Sequence, residues 1–274
     1  MDPIDTAVDA DVMTAPPPLT VCMVAYNEEE NIAASLASVK GWAGEVVVID
    51  CESQDATGEI ARMMGARVSR HPNILPEATK NVAFDLATTE WVFLLDADER
   101  LPDELKREIS GLIARDPLEN GFKIPRRNFY FGTPLTRGGA YPDLQLRLFR
   151  RGHGRFPARG IHERIAIDGK VGVLRHPFDH HPYPTFQAWI EKFEFYTRYE
   201  ADRLRAEGAS LRASAVRRAM IYRPLRRWIE RLFIKRGIRD GVPGILAATF
   251  DLMTIVVGFG RFWMGEIQEG RMKR

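Results

Sequence analysis

Trp91-Val92-Phe93-Leu94-Leu95-Asp96-Ala97-Asp98 is the stretch from which the rest of the chain can be read. Five consecutive apolar residues suit a strand buried on both faces, and the run stops on two carboxylates separated by one small residue. The same pattern recurs upstream. Leu19-Thr20-Val21-Cys22-Met23-Val24-Ala25 runs into Tyr26-Asn27-Glu28, and Val46-Val47-Val48-Ile49 runs into Asp50. Between these runs the spacing is helical. Ile32, Leu36 and Val39 share a stripe within residues 28–40, with Glu28, Glu29 and Glu30 at the positive end of the helix dipole. Ile60 and Met64 mark a second helix over 55–64, stopped by Gly65. A short strand over 67–70 and a helix over 76–87 lead into the 91–95 strand, and another helix follows from Pro102 to about Arg115. Strands alternating with helices imply an α/β fold with a mainly parallel sheet and flanking helices. Ligands bind such sheets at the carboxyl ends of the strands, where three runs here end in polar or acidic residues.

Beyond residue 120 the pattern loosens. Residues 121–181 are rich in Gly, Pro, Arg and aromatics, with strand-like pieces only near 121–124 and 164–167, and read as long functional loops. Helical spacing returns over 186–207. Residues 1–18 are acidic, end in Pro16-Pro17-Pro18 and read as a disordered leader lacking the apolar core of a signal peptide. The expected organisation is a leader over 1–18, an α/β domain carrying the site over 19–185, and a helical extension over 186–274.

The 274 residues are 45% hydrophobic and 28% charged, a globular balance that excludes a collagenous, coiled-coil or wholly disordered chain. Cys22 and Cys51 lie in apolar strand contexts and read as reduced core thiols of a cytosolic protein. The net charge of +2 conceals an asymmetry. Segment 212–239 holds ten basic residues and one acid, Glu230, so it carries +9 and leaves −7 for the rest. A uniformly basic nucleic-acid binder is not expected from that distribution, and no nucleic-acid partner is assigned.

Hard cations such as Mg²⁺ and Mn²⁺ take oxygen ligands, commonly one or two carboxylates completed by substrate phosphates. Asp96 and Asp98 offer that chemistry at a strand end, although such a pair at a helix N-terminus is ordinarily just solvated. Asp50 could accept hydrogen bonds from a ribose or base, or cap the following helix, a task for which Ser53 and Asp55 are better placed. Asn27 and Glu28 could likewise cap the first helix. Capping does not readily explain all three strand ends together.

Ala25-Tyr26-Asn27-Glu28-Glu29, Asp50-Cys51-Glu52-Ser53-Gln54-Asp55-Ala56-Thr57, Lys80-Asn81 and Leu95-Asp96-Ala97-Asp98-Glu99 occur in the order of the motifs of family 2 glycosyltransferases, which this chain resembles. The likeness continues through Ile124-Pro125-Arg126-Arg127-Asn128, Gly138-Gly139-Ala140-Tyr141-Pro142-Asp143, Leu146-Arg147-Leu148-Phe149 and Ile161-His162-Glu163, a series similar to the lipopolysaccharide core-type glucosyltransferase branch. The resemblance spans about residues 19–270 and implies a GT-A fold, a nucleotide-sugar donor and inversion at the sugar. It implies that Asn27, Glu28 and Asp50 hold the nucleoside, that Ala25 and Tyr26 line its pocket, and that Ser53, Lys80, Asp96 and Ala97 complete the donor site. Asp98 would bind the Mn²⁺ or Mg²⁺ that bridges the diphosphate. For the general base, many relatives carry a Glu-Asp pair where this chain has Tyr141-Pro142. Asp143 is therefore the first candidate and Glu163 the second. His162 is a candidate metal ligand or diphosphate contact.

In the tail, arginines alternate with Ile221, Leu225, Trp228, Leu232 and Phe233, the make-up of a basic amphipathic segment for an anionic membrane surface. The alternative is a solvated helix packed on the domain. Residues 241–265 are apolar but contain Pro243, Asp251 and Arg261. Asp251 splits the run, so the expectation is an interfacial or partner-packing helix, with a homo-oligomer as one outcome. The whole predicts an inverting, metal-dependent hexosyltransferase at the inner face of the cytoplasmic membrane. Its expected donor is a uridine diphosphate sugar and its acceptor a lipid-linked saccharide. A sugar-phosphate nucleotidyltransferase would share the sheet and the metal carboxylates. Its first strand leads into a Gly-rich basic loop, however, whereas Tyr26-Asn27-Glu28-Glu29-Glu30 would repel a triphosphate. A non-catalytic nucleotide-binding adaptor at the membrane would differ only in activity.

Overall fold

A computed structural model describes residues 15–72, 76–157 and 164–268. His162 and Glu163, two of the expected site residues, and most of the expected leader lie outside the described residues. The chain forms two compact units that interleave in sequence. The first runs to Ile124 and resumes over Leu146–His176, and the second comprises Pro125–Gln145 and the chain from Pro177 onward.

The first unit is built on β1 (Leu19–Ala25), β2 (Glu45–Asp50), β3 (Arg67–Arg70) and β4 (Trp91–Leu94), linked by α1 (Ile32–Val39), α2 (Thr57–Met63) and α3 (Pro76–Leu86). β1 lies between β2 and β4, parallel to both, and β3 extends the sheet beyond β2. The register that pairs Ala25 with Asp50 sets the loops leaving β1 and β2 side by side. After β5 (Glu99–Arg100) and α4 (Asp103–Ile113), the long β6 (Gly121–Tyr130) begins. Cys22, Val47, Ile49, Val92, Leu94, Phe84 and Phe149 are buried in one cluster. Phe84 meets Phe149 edge-on at 4.9 Å between centroids. Each such side chain contributes about 1.5–3 kcal/mol on leaving water. Both thiols are free and buried as expected. Burial pushes the Cys51 thiol up to about 11, and the Cys22 thiol further.

Residues 121–181 depart from the loop expectation. Besides β6 they contain β7 (Thr133–Pro134), β8 (Asp143–Arg150), β9 (Gly154–Arg155), β10 (Ala166–Ile167), β11 (Val171–Val173) and β12, which runs on to Tyr183 from Phe178. β8 pairs antiparallel with β4, Phe93 opposite Leu148. In the second unit the far half of β6 pairs with β7 and β12.

The second unit also holds α5 (Phe186–Ala206), α6 (Ala213–Arg217), α7 (Arg223–Ile229) and α8 (Gly241–Gln268). Turns of π-helix over Arg218–Tyr222 and Glu230–Ile234 join α6 and α7 into an almost continuous helical stretch. α8 packs on α5 through Ala201, Leu204, Phe259 and Phe262. Gly258 makes the approach possible, because a Cβ there would lie 2.7 Å from Glu200. The helix expected over residues 241–265 is present, and it runs through Asp251. Its carboxylate accepts from Arg227 at 2.8 Å and from Arg231 at 2.5 Å, so the helix carries a compensated group. The stretch Gly237–Gln268 contains an 18-residue window of mean hydropathy 1.8 and is long and apolar enough to cross a membrane by length and composition.

Candidate active site

The loops after β1 and β2 are stitched together. Asn27 sits in the left-handed region at φ 53°, which Asn tolerates better than most residues. Its N–H donates to Ser53 Oγ at 3.0 Å, and its Oδ1 accepts from Gln54 N at 2.8 Å. Asp50 Oδ1 accepts from Ser53 N at 2.9 Å, while the N–H of Glu28 donates to Thr57 Oγ1 at 2.7 Å. Asp55 accepts the amide of Thr57 at 3.0 Å from one residue before the N-cap position, Ala56, which itself has no side-chain cap. These bonds explain why α1 begins at Ile32 instead of near Glu28: the three glutamates belong to a loop that is tied to its neighbour. Ala25 and Asp50 are buried beneath these loops, and Tyr26 is exposed at 46%.

At the end of β4 the first carboxylate of the pair is held by two cations. Asp96 Oδ1 meets Lys80 Nζ of α3 at 2.9 Å, and Oδ2 meets Arg147 of β8 at 2.8 Å. The antiparallel register of β4 and β8 carries Arg147 to this strand end. Arg147 also pairs with the fully buried Glu99, whose other oxygen accepts the Asp96 N–H at 2.9 Å. Burial alone would raise the Asp96 carboxyl, but Lys80 and Arg147 outweigh it and hold the group far below the usual carboxylate range. Next to Lys80, Asn81 fixes Phe156 through a reciprocal pair of bonds at 2.9 Å each. Ala97 is buried and Asp98 half-buried.

Sequence reasoning placed Lys80, Asp96 and Asp98 at this strand end but did not see the parts of Arg147 and Glu99. The available signal was charge inside apolar context, Arg147 within Leu-Arg-Leu-Phe, since a buried charge requires a partner. Replacing Arg147 by Met leaves Asp96 and Glu99 without their shared cation, and a loss of about 3–5 kcal/mol is expected in denaturant melts. The sign with pH follows from the depressed Asp96 carboxyl. Its stabilisation is complete above the unfolded value near 3.9 and drains away as pH falls below it, less steeply in Arg147→Met.

In the second unit, Asp143 opens β8. Arg126 donates Nε at 2.9 Å and a terminal nitrogen at 2.6 Å to its Oδ2, and Gln145 donates to Oδ1 at 2.7 Å. Burial would raise this carboxyl, but Arg126, Gln145 and Asn128 bring it below its ordinary value, so Asp143 is ionised at neutral pH.

The family description Glycosyl transferase family 2 matches residues 20–181 of this chain. The chain belongs to that family. The matched region takes in Asn27, Asp50, Lys80, Asp96, Asp98 and Asp143 alike. An uncharacterized glycosyltransferase of Rickettsia typhi is 27% identical over 257 residues, 89% of this chain and 84% of that protein. The lipopolysaccharide core biosynthesis glycosyltransferase LpsC of Rhizobium meliloti is 29% identical over 164 residues, 58% of this chain and 60% of LpsC. Among solved structures, the mannosyltransferase PcManGT from Pyrobaculum calidifontis, in complex with GDP-Man and Mn²⁺, superimposes with a TM-score of 0.51. It is 17% identical, covering 92% of this chain and 88% of that one. The fold is GT-A and the protein is a glycosyltransferase.

Proposed function

We propose that this family 2 glycosyltransferase is an inverting, metal-assisted hexosyltransferase. Its donor would be a nucleoside diphosphate sugar, with uridine as the base, and its acceptor a lipid-linked saccharide of the lipopolysaccharide core type. The observation that carries the reading is the pairing of Asp96 at the end of β4. Both oxygens of Asp96 are engaged by Lys80 and Arg147, which supports Asp98 over Asp96 as the residue that takes the cation. Among the described residues no cluster of three or more His, Cys, Asp or Glu could hold a metal by itself. A carboxylate at a strand end fits a hard cation whose remaining ligands come from substrate phosphates and water. Mn²⁺ or Mg²⁺ held there would neutralise charge on the departing nucleoside diphosphate. His162, the other candidate ligand, lies outside the described residues.

The protein's own groups supply the rest of this scheme. Asn27, Glu28, Asp50 and Ser53 shape a pair of loops for the nucleoside, with Ala25 and Tyr26 as its walls. Lys80 keeps Asp96 ionised and oriented beside Ala97 for the ribose. Asp143 takes the proton of the acceptor hydroxyl as that oxygen attacks the sugar. The similarity to LpsC supports the acceptor class. A thermal-shift panel of nucleoside diphosphates and sugar nucleotides, with and without Mn²⁺, tests the donor assignment. One uridine nucleotide should raise Tm in a Mn²⁺-dependent manner, since a ligand at 100 times its Kd contributes about 2.7 kcal/mol. An equal shift for every base, or none that needs the metal, would refute it.

The same reading places the enzyme peripherally at the cytoplasmic face of the membrane. The +9 of segment 212–239 and the apolar α8 support that location. The full chain is expected to cosediment with anionic vesicles more than with neutral ones and to be only partly released by salt. Charge is screened over about 8–10 Å at physiological ionic strength, whereas apolar burial is not. Equal sedimentation with both vesicle types would remove the basic segment from the scheme.

A further inference from the structure

Within the second unit, the helical stretch 213–234 and the Gly138-Gly139 turn enclose a cavity of about 500 Å³. Six cationic side chains line it: Arg218, Arg223, Arg226, Arg227, Arg231 and Lys235. Three of them are already answered. Asp251 binds Arg227 and Arg231, and Glu230 pairs with Lys235 at 2.9 Å. Arg218, Arg223 and Arg226 make no ion pair among the described residues. The wall opposite them is held in place by backbone. Gly138 N–H donates to Lys235 O at 2.9 Å, and Arg231 Nε donates to Gly138 O at 3.1 Å. Both glycines have positive φ, 66° and 76°, and a Cβ on Gly139 would come within 3.0 Å of Lys235 Cδ. Three unpaired guanidinium groups around a fixed concavity make a receptor for a phosphate, which guanidinium forks grip in bidentate fashion.

The cavity adjoins a second concavity of about 890 Å³ that shares Arg218, Tyr222, Arg226 and Glu230 with it. Apart from Arg217, its other walls are apolar. Ile221, Leu225 and Ile229 recur every four residues along the helical stretch and are exposed at 61%, 47% and 41%. A row of hydrocarbon left in water beside a cavity with an excess of positive charge, even with Glu230 close to Arg226, matches a ligand that is anionic at one end and apolar at the other. The same unit carries the apolar α8, on which Val242 and Met264 are also exposed.

We infer that the cavity and groove together bind one membrane phospholipid. Its phosphate lies among Arg218, Arg223 and Arg226, and an acyl chain lies along Ile221, Leu225 and Ile229. This deepens the membrane reading above, replacing a diffuse charged face with a stoichiometric site. The test titrates the full-length protein calorimetrically with dihexanoyl phosphatidic acid below its micelle concentration. Glycerol 3-phosphate and inorganic phosphate serve as chainless probes. One-to-one binding of the lipid is expected, with glycerol 3-phosphate at least about tenfold weaker, since two buried methylenes already account for that factor. Arg223→Lys with Arg226→Lys conserves charge but removes the forks and should weaken the lipid about tenfold. Arg212→Gln with Arg239→Gln, outside both concavities, should change it less than about twofold, as exposed charges at a distance do. Leu225→Ser should weaken the lipid and leave glycerol 3-phosphate unchanged. No binding of the lipid overturns the inference. So do equal affinities for lipid and glycerol 3-phosphate, which mark a soluble-anion site, and a loss in the charge-removing Arg212/Arg239 pair that matches or exceeds the loss in the charge-conserving Arg223/Arg226 pair, which marks diffuse attraction. Monomeric lipid and no turnover are used, so failure here is distinct from failure of vesicle sedimentation or of sugar transfer.

Discussion

Asp98→Ala should abolish sugar transfer, lowering the rate on the order of 10²–10³-fold or more, while the protein melts as the parent does. Electrostatic stabilisation of a leaving group is worth that much when one of its anchors is removed. Here the anchor would hold the cation on which the diphosphate charge collects. The prediction differs from what its neighbours should do. Asp96 is locked between Lys80 and Arg147, and Glu99 is fully buried beneath Arg147, so substitutions there damage folding as well as chemistry. Asp98 is half-buried, and its loss should be separable from stability. The measurement is donor turnover by parent and variant in Mn²⁺ and in EDTA, with nucleotide affinity measured under both conditions. The variant should bind nucleotide equally with and without metal. Parental turnover by Asp98→Ala in Mn²⁺ would remove the metal assignment.

The parallel half of the fold was legible because β1, β2 and β4 are built on apolar runs, Leu19–Ala25, Val46–Ile49 and Trp91–Leu94. β1 has the predicted bounds and so does β3, and the three strand-end motifs lie where the sheet delivers them. What escaped was built from mixed strands. β6 contains Pro125 and the polar run Arg126-Arg127-Asn128, β12 contains Asp179, His180 and Pro182, and both resemble loop by composition. β8 does alternate, with Leu144, Leu146 and Leu148 on one side, but Arg147 on the other side is a buried charge standing where the alternation predicts solvent. Its acidic partners lie 48 and 51 residues away, which no local pattern can reveal. The partners of Asp251 were hidden for the same reason. The arginines that neutralise it lie 20 and 24 residues upstream, so the charge that divides the apolar run ties the helix to α7 and to the π-helical turn that follows.

Asp143→Asn should lower transfer by roughly 10²-fold or more with donor affinity intact, the signature of a lost general base. The structure adds a second variant that tests the role through proton affinity. Arg126 holds Oδ2 through two nitrogens and, together with Gln145 and Asn128, keeps the Asp143 carboxyl below its ordinary value against the opposing effect of burial. A base works only when deprotonated, so the activity of the parent enzyme should persist as pH falls until this depressed group takes up its proton. In Arg126→Met the cation is gone and burial raises the carboxyl unopposed by it, so the acid limb of kcat/KM against pH must move to higher pH. Asp143→Asn should lose that limb altogether, its residual rate flat where the parent's falls. A purely structural Arg126–Asp143 pair would lower stability in both variants without displacing the limb. If Glu163→Gln shows the 10²-fold loss and Asp143→Asn does not, the base is Glu163, and Asp143 serves to position Arg126.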